Sequence, residues 1–223
     1  MRIGLVIVLW ISSFNLNAQV KVEFQLCYKE QLVHLNDTII NPLTQDEWVL
    51  NTFKFYVSDF EILNEKQESI SSDLTRFHLV DFENTQSTSW NLKDKQNNRE
   101  VIRFGFGIDS LTNVSGAFGG GLDPVNGMYW TWQSGYINCK IEGYSSKSGA
   151  KDHSFEYHLG GYSGKQNAFR TILLPVKTAD SLVVQLDLEH FLNSTNFQEV
   201  HHIMSPSQSS LNFVELLSKS FKL

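Results

Sequence analysis

Apolar and polar residues alternate with a period of two through most of this chain. Val20, Val22, Phe24 and Leu26 recur at every second position, with Lys21, Glu23 and Gln25 between them. Successive side chains of a strand point to opposite faces, so this spacing predicts a half-buried strand over Val20–Tyr28. The same pattern predicts strands over Thr52–Leu63, Arg76–Phe82, Val101–Ile108, Met128–Ile141, Ser154–Leu159, Phe169–Val176 and Leu182–Leu188. The segments between them are rich in Asn, Ser, Gly and Asp, as turns require. His190–Leu192 predicts a single helical turn. Leu211–Lys219 predicts a short C-terminal helix, with Leu211, Val214 and Leu217 on one face. Eight short strands without an internal repeat or a linker predict an all-β chain: one antiparallel β-sandwich or barrel-like domain.

Residues 1–18 depart from the alternation. Met1 and Arg2 precede an apolar run from Ile3 to Phe14, broken by Gly4, Ser12 and Ser13, and Ala18 stands before Gln19. A basic start, a short apolar core and a small residue before a polar one predict a cleavable signal peptide, cut after Ala18. The run is about a dozen residues, where a membrane-spanning helix needs about 20. No second long apolar run follows, so no membrane span is expected, and the β domain is placed at 19–223. That domain keeps 17 basic and 24 acidic residues, a net charge of −7, without a basic stripe, which argues against nucleic-acid binding. Aromatic residues at 13% argue against disorder. Export permits a disulfide between Cys27 and Cys139. Strand parity argues against it: Cys27 falls with the polar set of its strand, and Cys139 falls with Ile137 and Ile141 and points inward.

Enzyme signatures are missing. The chain has no GxSxG, HExxH or phosphate-cradling loop, and its cysteines lack Cys-x-x-Cys spacing, so no catalytic residue is expected. Glu142 and Glu156 are a carboxylate pair whose separation the spacing does not determine. The most unusual stretch is Gly105 to Gly143. Its oxygen donors Asp109, Asn113, Asp123 and Asn126 suit a structural calcium ion, or equally turns in which Asx side chains bond their own backbone. Their spacing is not that of an EF-hand, and the turn reading is preferred. Trp130 and Trp132, with Tyr129 and Tyr136, could stack on a sugar or fill the core, and the core is preferred because a β domain of this size needs such volume. Gly135 is expected to mark a bulge. His201 and His202 are adjacent, point to opposite sides of an extended chain, and are expected with His190 to be solvated.

The segments Tyr56-Val-Ser-Asp-Phe60, Phe77-His-Leu-Val-Asp81, Gly107-Ile-Asp-Ser110, Gly121-Leu-Asp-Pro124, Gly127-Met-Tyr-Trp-Thr-Trp132, Ser134-Gly-Tyr136, Glu142-Gly143 and Tyr157-His-Leu-Gly160 occur in this order. Together they resemble the copper-binding MbnP-like family, related to secreted copper proteins of methane-oxidising bacteria. The resemblance covers nearly the whole of residues 19–223. It implies a secreted all-β domain and a mononuclear copper site made by histidines and an oxidised tryptophan, a kynurenine. For some relatives it implies a di-haem peroxidase-like partner that performs the oxidation. His78 and His158 are the family-like histidines and the candidate copper ligands; Trp130 and Trp132 belong to the family core. The Trp expected two positions before the first histidine is Arg76 here, which removes a kynurenine ligand at that position. By residue type alone, His78 and His158 read as strand histidines in ordinary hydrogen bonds, although imidazole suits both copper oxidation states. The function expected is a non-catalytic, secreted or periplasmic copper-binding protein in copper acquisition or handling. The alternative is a metal-free extracellular interaction domain that binds a partner protein or glycan through its aromatic strand and Gly-rich loops.

Overall fold

The computed structural model describes residues 19–93, 99–132, 135–176 and 181–223. The expected signal peptide, 1–18, lies outside the described residues, as do Gln133 and Ser134. The strands are β1 (Gln19–Tyr28), β2 (Gln31–Leu32), β3 (Thr38–Ile40), β4 (Glu47–Leu63), β5 (Ser69–Ser72), β6 (Phe77–Asp81), β7 (Ser89–Lys93) and β8 (Val101–Phe106). They continue with β9 (Tyr129–Trp130), β10 (Gly135–Ser145), β11 (Ser154–Gly160), β12 (Arg170–Pro175), β13 (Ser181–Asp187), β14 (His202–Ile203) and β15 (Phe221–Lys222). The helices are α1 (Ser110–Val114), α2 (Glu189–Ser194) and α3 (Gln208–Ser218). The predicted C-terminal helix is therefore present. The Ser207 side chain caps it by accepting from the Ser210 amide at 3.1 Å, and Val214 and Leu217 are buried on its inner face.

Two sheets pack face to face, as the alternation predicts. The smaller runs β15-β13-β1-β2, with β7 also on β1. In the larger, the 17-residue strand β4 is the spine. Lys54 pairs with Asp81 of β6 and with Lys140 of β10, so those two strands lie on opposite edges of β4. β8 then β12 extend the sheet from the C-terminal half of β4, and β11 then β14 extend it from β10. The pairing is not wholly antiparallel: β1 runs parallel to β13, and β11 to β14. A parallel pair needs a long crossover, and here nearly the whole larger sheet is inserted between β1 and β13.

The main core lies between the sheets. Phe24 of β1 meets Phe55 at 5.7 Å and Phe104 at 5.6 Å, both edge to face. A second cluster, Tyr56, Ile108, Leu122, Met128, Trp130, Tyr136 and Ile137, forms on the other face of the larger sheet. Tyr56 follows Phe55 in the strand, so it points away from the main core. The Gly-rich chain between β8 and β10 folds over that face to cover it.

Three local expectations are corrected. Met128–Ile141 is not one strand: the chain turns at Thr131 and Trp132, and β9 pairs antiparallel with β10. The register shift falls between Ile137 and Cys139 rather than at Gly135. Gly135 is small because the Tyr162 ring would stand 2.9 Å from a Cβ there. Cys27 is buried although its strand parity is polar. Its cross-strand neighbour on that face is Asp187, which holds Lys222 at 2.8 Å. Both cysteines are free, as parity argued, and burial pushes both thiols up.

Candidate functional site

His78 lies on β6 opposite Val57 of β4, and both side chains point toward the space between the sheets. Its Nε2 is 2.8 Å from Asp73 Oδ2, and its ring stacks on Trp90 with centroids 3.9 Å apart and planes 4° apart. Trp90 comes from β7 of the smaller sheet, where it also stacks on Phe24 at 5.5 Å. The imidazole thus sits where the edges of the two sheets meet, gripped by a carboxylate at one nitrogen and an indole against its face. Its side chain keeps 18% exposure.

His158 lies on β11 opposite Lys140 of β10, which is opposite Lys54 of β4, which is opposite Asp81 of β6. These residues form one polar row across four strands on the outer face of the larger sheet. Lys54 Nζ is 3.0 Å from Asp81, and His158 Nε2 and Lys140 Nζ lie 2.8 Å and 3.1 Å from the same Glu142 oxygen. Glu142 and Glu156 are direct cross-strand neighbours, and Glu156 bonds His202 Nδ1 at 3.2 Å.

The structure does not bring the two candidate histidines together. Val57 and Lys54 are three residues apart on β4, so their rows face opposite sides of the sheet. The strands of His78 and His158 are separated by three strand spacings, about 14 Å. A single ion bonds donors about 2 Å away, so it cannot take both. Among the described residues no three His, Cys, Asp or Glu side chains cluster as a metal cage.

The hydrogen bond from His158, and then that from Lys140, hold the Glu142 carboxyl at about 2, well below its ordinary value of 4.5. A depressed folded-state value stabilises the fold above the ordinary value, and the stabilisation is lost as pH falls through the folded one. Glu142→Gln is therefore expected to cost about 1–2 kcal/mol near neutrality and to flatten the loss of stability between pH about 4.5 and about 2. Urea midpoints of the two proteins across that range check this; parallel curves would refute it.

The oxygen donors of the Gly-rich chain are held by local bonds. Asp109 caps α1, accepting from the Thr112 amide at 2.9 Å, and Asp123 accepts from the Val125 amide at 2.9 Å. Asn113 donates to the Ile108 carbonyl at 3.0 Å and accepts from the Tyr136 amide at 2.8 Å. Asn126 donates to the carbonyls of Gly120 and Gly121. Arg76, at the expected tryptophan position, bonds Asp59 at 2.9 Å and Asp109 at 3.2 Å and lies over the Phe77 ring. Trp130 and Tyr136 are buried as expected for core aromatics, but Trp132 is 66% exposed, because the turn after β9 carries it out of the strand. Asp73 and Trp90, the companions of His78, carry no sequence signal: they come from separate segments that only the fold brings together.

The fold defines a two-sheet β-sandwich whose outer face is roofed by a Gly-rich excursion. The MbnP family model matches residues 17–206, and the chain belongs to that family. The solved structure of MbnP from Methylosinus trichosporium is similar in fold, with a TM-score of 0.61 at 16% identity over 84% of this chain and 80% of that one. No curated protein matches the chain. No helix among the described residues is long and apolar enough to cross a membrane.

Proposed function

We propose that this protein binds copper outside the cytoplasm and carries it without catalysing a reaction. Membership of the MbnP family supports this reading, and His78 is the observation that carries it. The imidazole keeps solvent access at the sheet edge, and a carboxylate that orients a ligating histidine sharpens its affinity and geometry. Asp73 stands in that position. His158 would act separately, on the opposite face. Protons compete with the metal for imidazole nitrogen, so affinity falls with acidity.

Titrating residues 19–223 with copper, under reducing and oxidising conditions, tests this. One-to-one uptake is expected, lost in His78→Ala and retained in His158→Ala. Equal loss in both variants would overturn the assignment to His78 alone. No uptake by folded wild type would remove the copper reading and leave the second one, a metal-free interaction domain. That reading is favoured by five exposed large apolar side chains between Leu111 and Trp132.

A further inference from the structure

We propose that the pocket between α1 and the start of β6 is a docking site for a partner protein that inserts an apolar side chain flanked by a basic one. The pocket measures about 340 Å³ and is walled by Phe77, Leu111, Phe118 and Leu122, with Arg76 at its rim. Leu111 is 71% exposed and Phe118 45% exposed. Such a cluster on one surface marks an interaction site, whereas scattered apolar residues do not.

The backbone that presents it is pinned. This segment contains Gly116, Gly119, Gly120 and Gly121, which should leave it loose. Instead, the Phe118 amide donates to the Tyr136 hydroxyl at 3.0 Å, and that hydroxyl donates to the Leu122 carbonyl at 3.1 Å. The Tyr56 hydroxyl donates to the Gly121 carbonyl at 3.1 Å, and Asn126 holds Gly120 and Gly121. Two tyrosines and an asparagine hold still a chain whose apolar side chains face water. Holding Phe118 outward adds no burial to the fold, but it removes the ordering cost from a binding event.

Charge selects the partner. Arg76 is the charged side chain that lines the pocket, and Asp59 and Asp109 both bond it from just outside that lining, so the surface around the pocket holds two carboxylates for one guanidinium. Residues 19–223 carry a net −7. Two copies of this face would repel each other, whereas a Lys or Arg beside the apolar anchor would be attracted.

The test uses residues 19–223 and fluorescein-labelled short peptides with a central Leu-Phe pair flanked by Lys, by Ser or by Glu. The Lys-flanked peptide is expected to bind about tenfold or more tightly than the Glu-flanked one, with the difference shrinking in salt. The double variant Leu111→Ser/Phe118→Ser, with unchanged near-UV circular dichroism and unchanged copper uptake, is expected to lose that binding. Equal binding of all three peptides, or binding that survives in the double variant, would overturn the proposal. A wild-type dimer that the double variant abolishes would overturn it too, by assigning the face to self-association.

Discussion

Phe55→Ala is expected to lower the stability of residues 19–223 by about 4 kcal/mol, the middle of the range for truncating a buried aromatic. Phe55 is fully buried on β4, and its ring touches five others: Phe24 at 5.7 Å, Phe53 at 6.2 Å, Phe82 at 6.2 Å, Phe106 at 5.6 Å and Phe221 at 5.8 Å. Phe24 belongs to the smaller sheet, as does Phe221 on β15, the strand that follows α3, so one ring joins both sheets and the C-terminal strand. Four of these contacts, all but that with Phe82, are edge to face, and each such pair adds about 0.5–1.5 kcal/mol beyond burial. Phe24, Phe53, Phe106 and Phe221 are buried rings on paired strands and cannot collapse into the space, and Phe82 is in the turn after β6. Phe55→Leu should recover about half of the loss, since it restores volume without ring geometry. Urea unfolding measures both; a loss below about 1 kcal/mol for the alanine variant would show that the sheets repack freely.

The strands were legible because a half-buried strand writes its two faces directly into the sequence. β1, β6, β8, β11, β12 and β13 lie within a residue or two of the spans read from alternation. What escaped was set by neighbours. β7 offers only Trp90 and Leu92 as a pattern, too short to separate from the polar segments around it. The turn after β9 hides inside a continuous aromatic run, which is why Trp132 read as core. The parallel pairing of β1 with β13 depends on the whole inserted sheet, and no local signal carries it. The candidate site follows the same logic. His78 and His158 were visible as residues on strands. Their placement on opposite faces is a matter of register counted across four strands, and the Asp73 and Trp90 contacts arise only when the two sheet edges meet.

Gly143→Ala tests that register where it is tightest. β10 lies between β4 and β11, and Gly143 is opposite Leu50 on one side and Phe155 on the other. The pairing with β4 slips by one residue between Glu142 and Gly143, which drives the Val49 carbonyl against this position. A Cβ here would sit well inside contact distance of that carbonyl oxygen and 2.9 Å from Phe155 Cζ. Backbone on a central strand cannot move aside as a flexible side chain can. Replacing Gly by Ala gains up to about 1 kcal/mol through the unfolded chain, and overpacking at such a contact exceeds that gain. The net loss expected is about 3 kcal/mol, or a fall of about 6–12 °C in Tm. Glu142 is the next residue, so forcing the strand apart also pulls its carboxylate from His158. Gly143→Ala should therefore flatten the acid-range stability curve as Glu142→Gln does. A variant with wild-type Tm would mean that β4 and β10 meet in a different register. A variant that loses stability but keeps the full acid dependence would mean that the strain is absorbed on the β4 side, with the β10–β11 row of Lys140, Glu142 and His158 left intact.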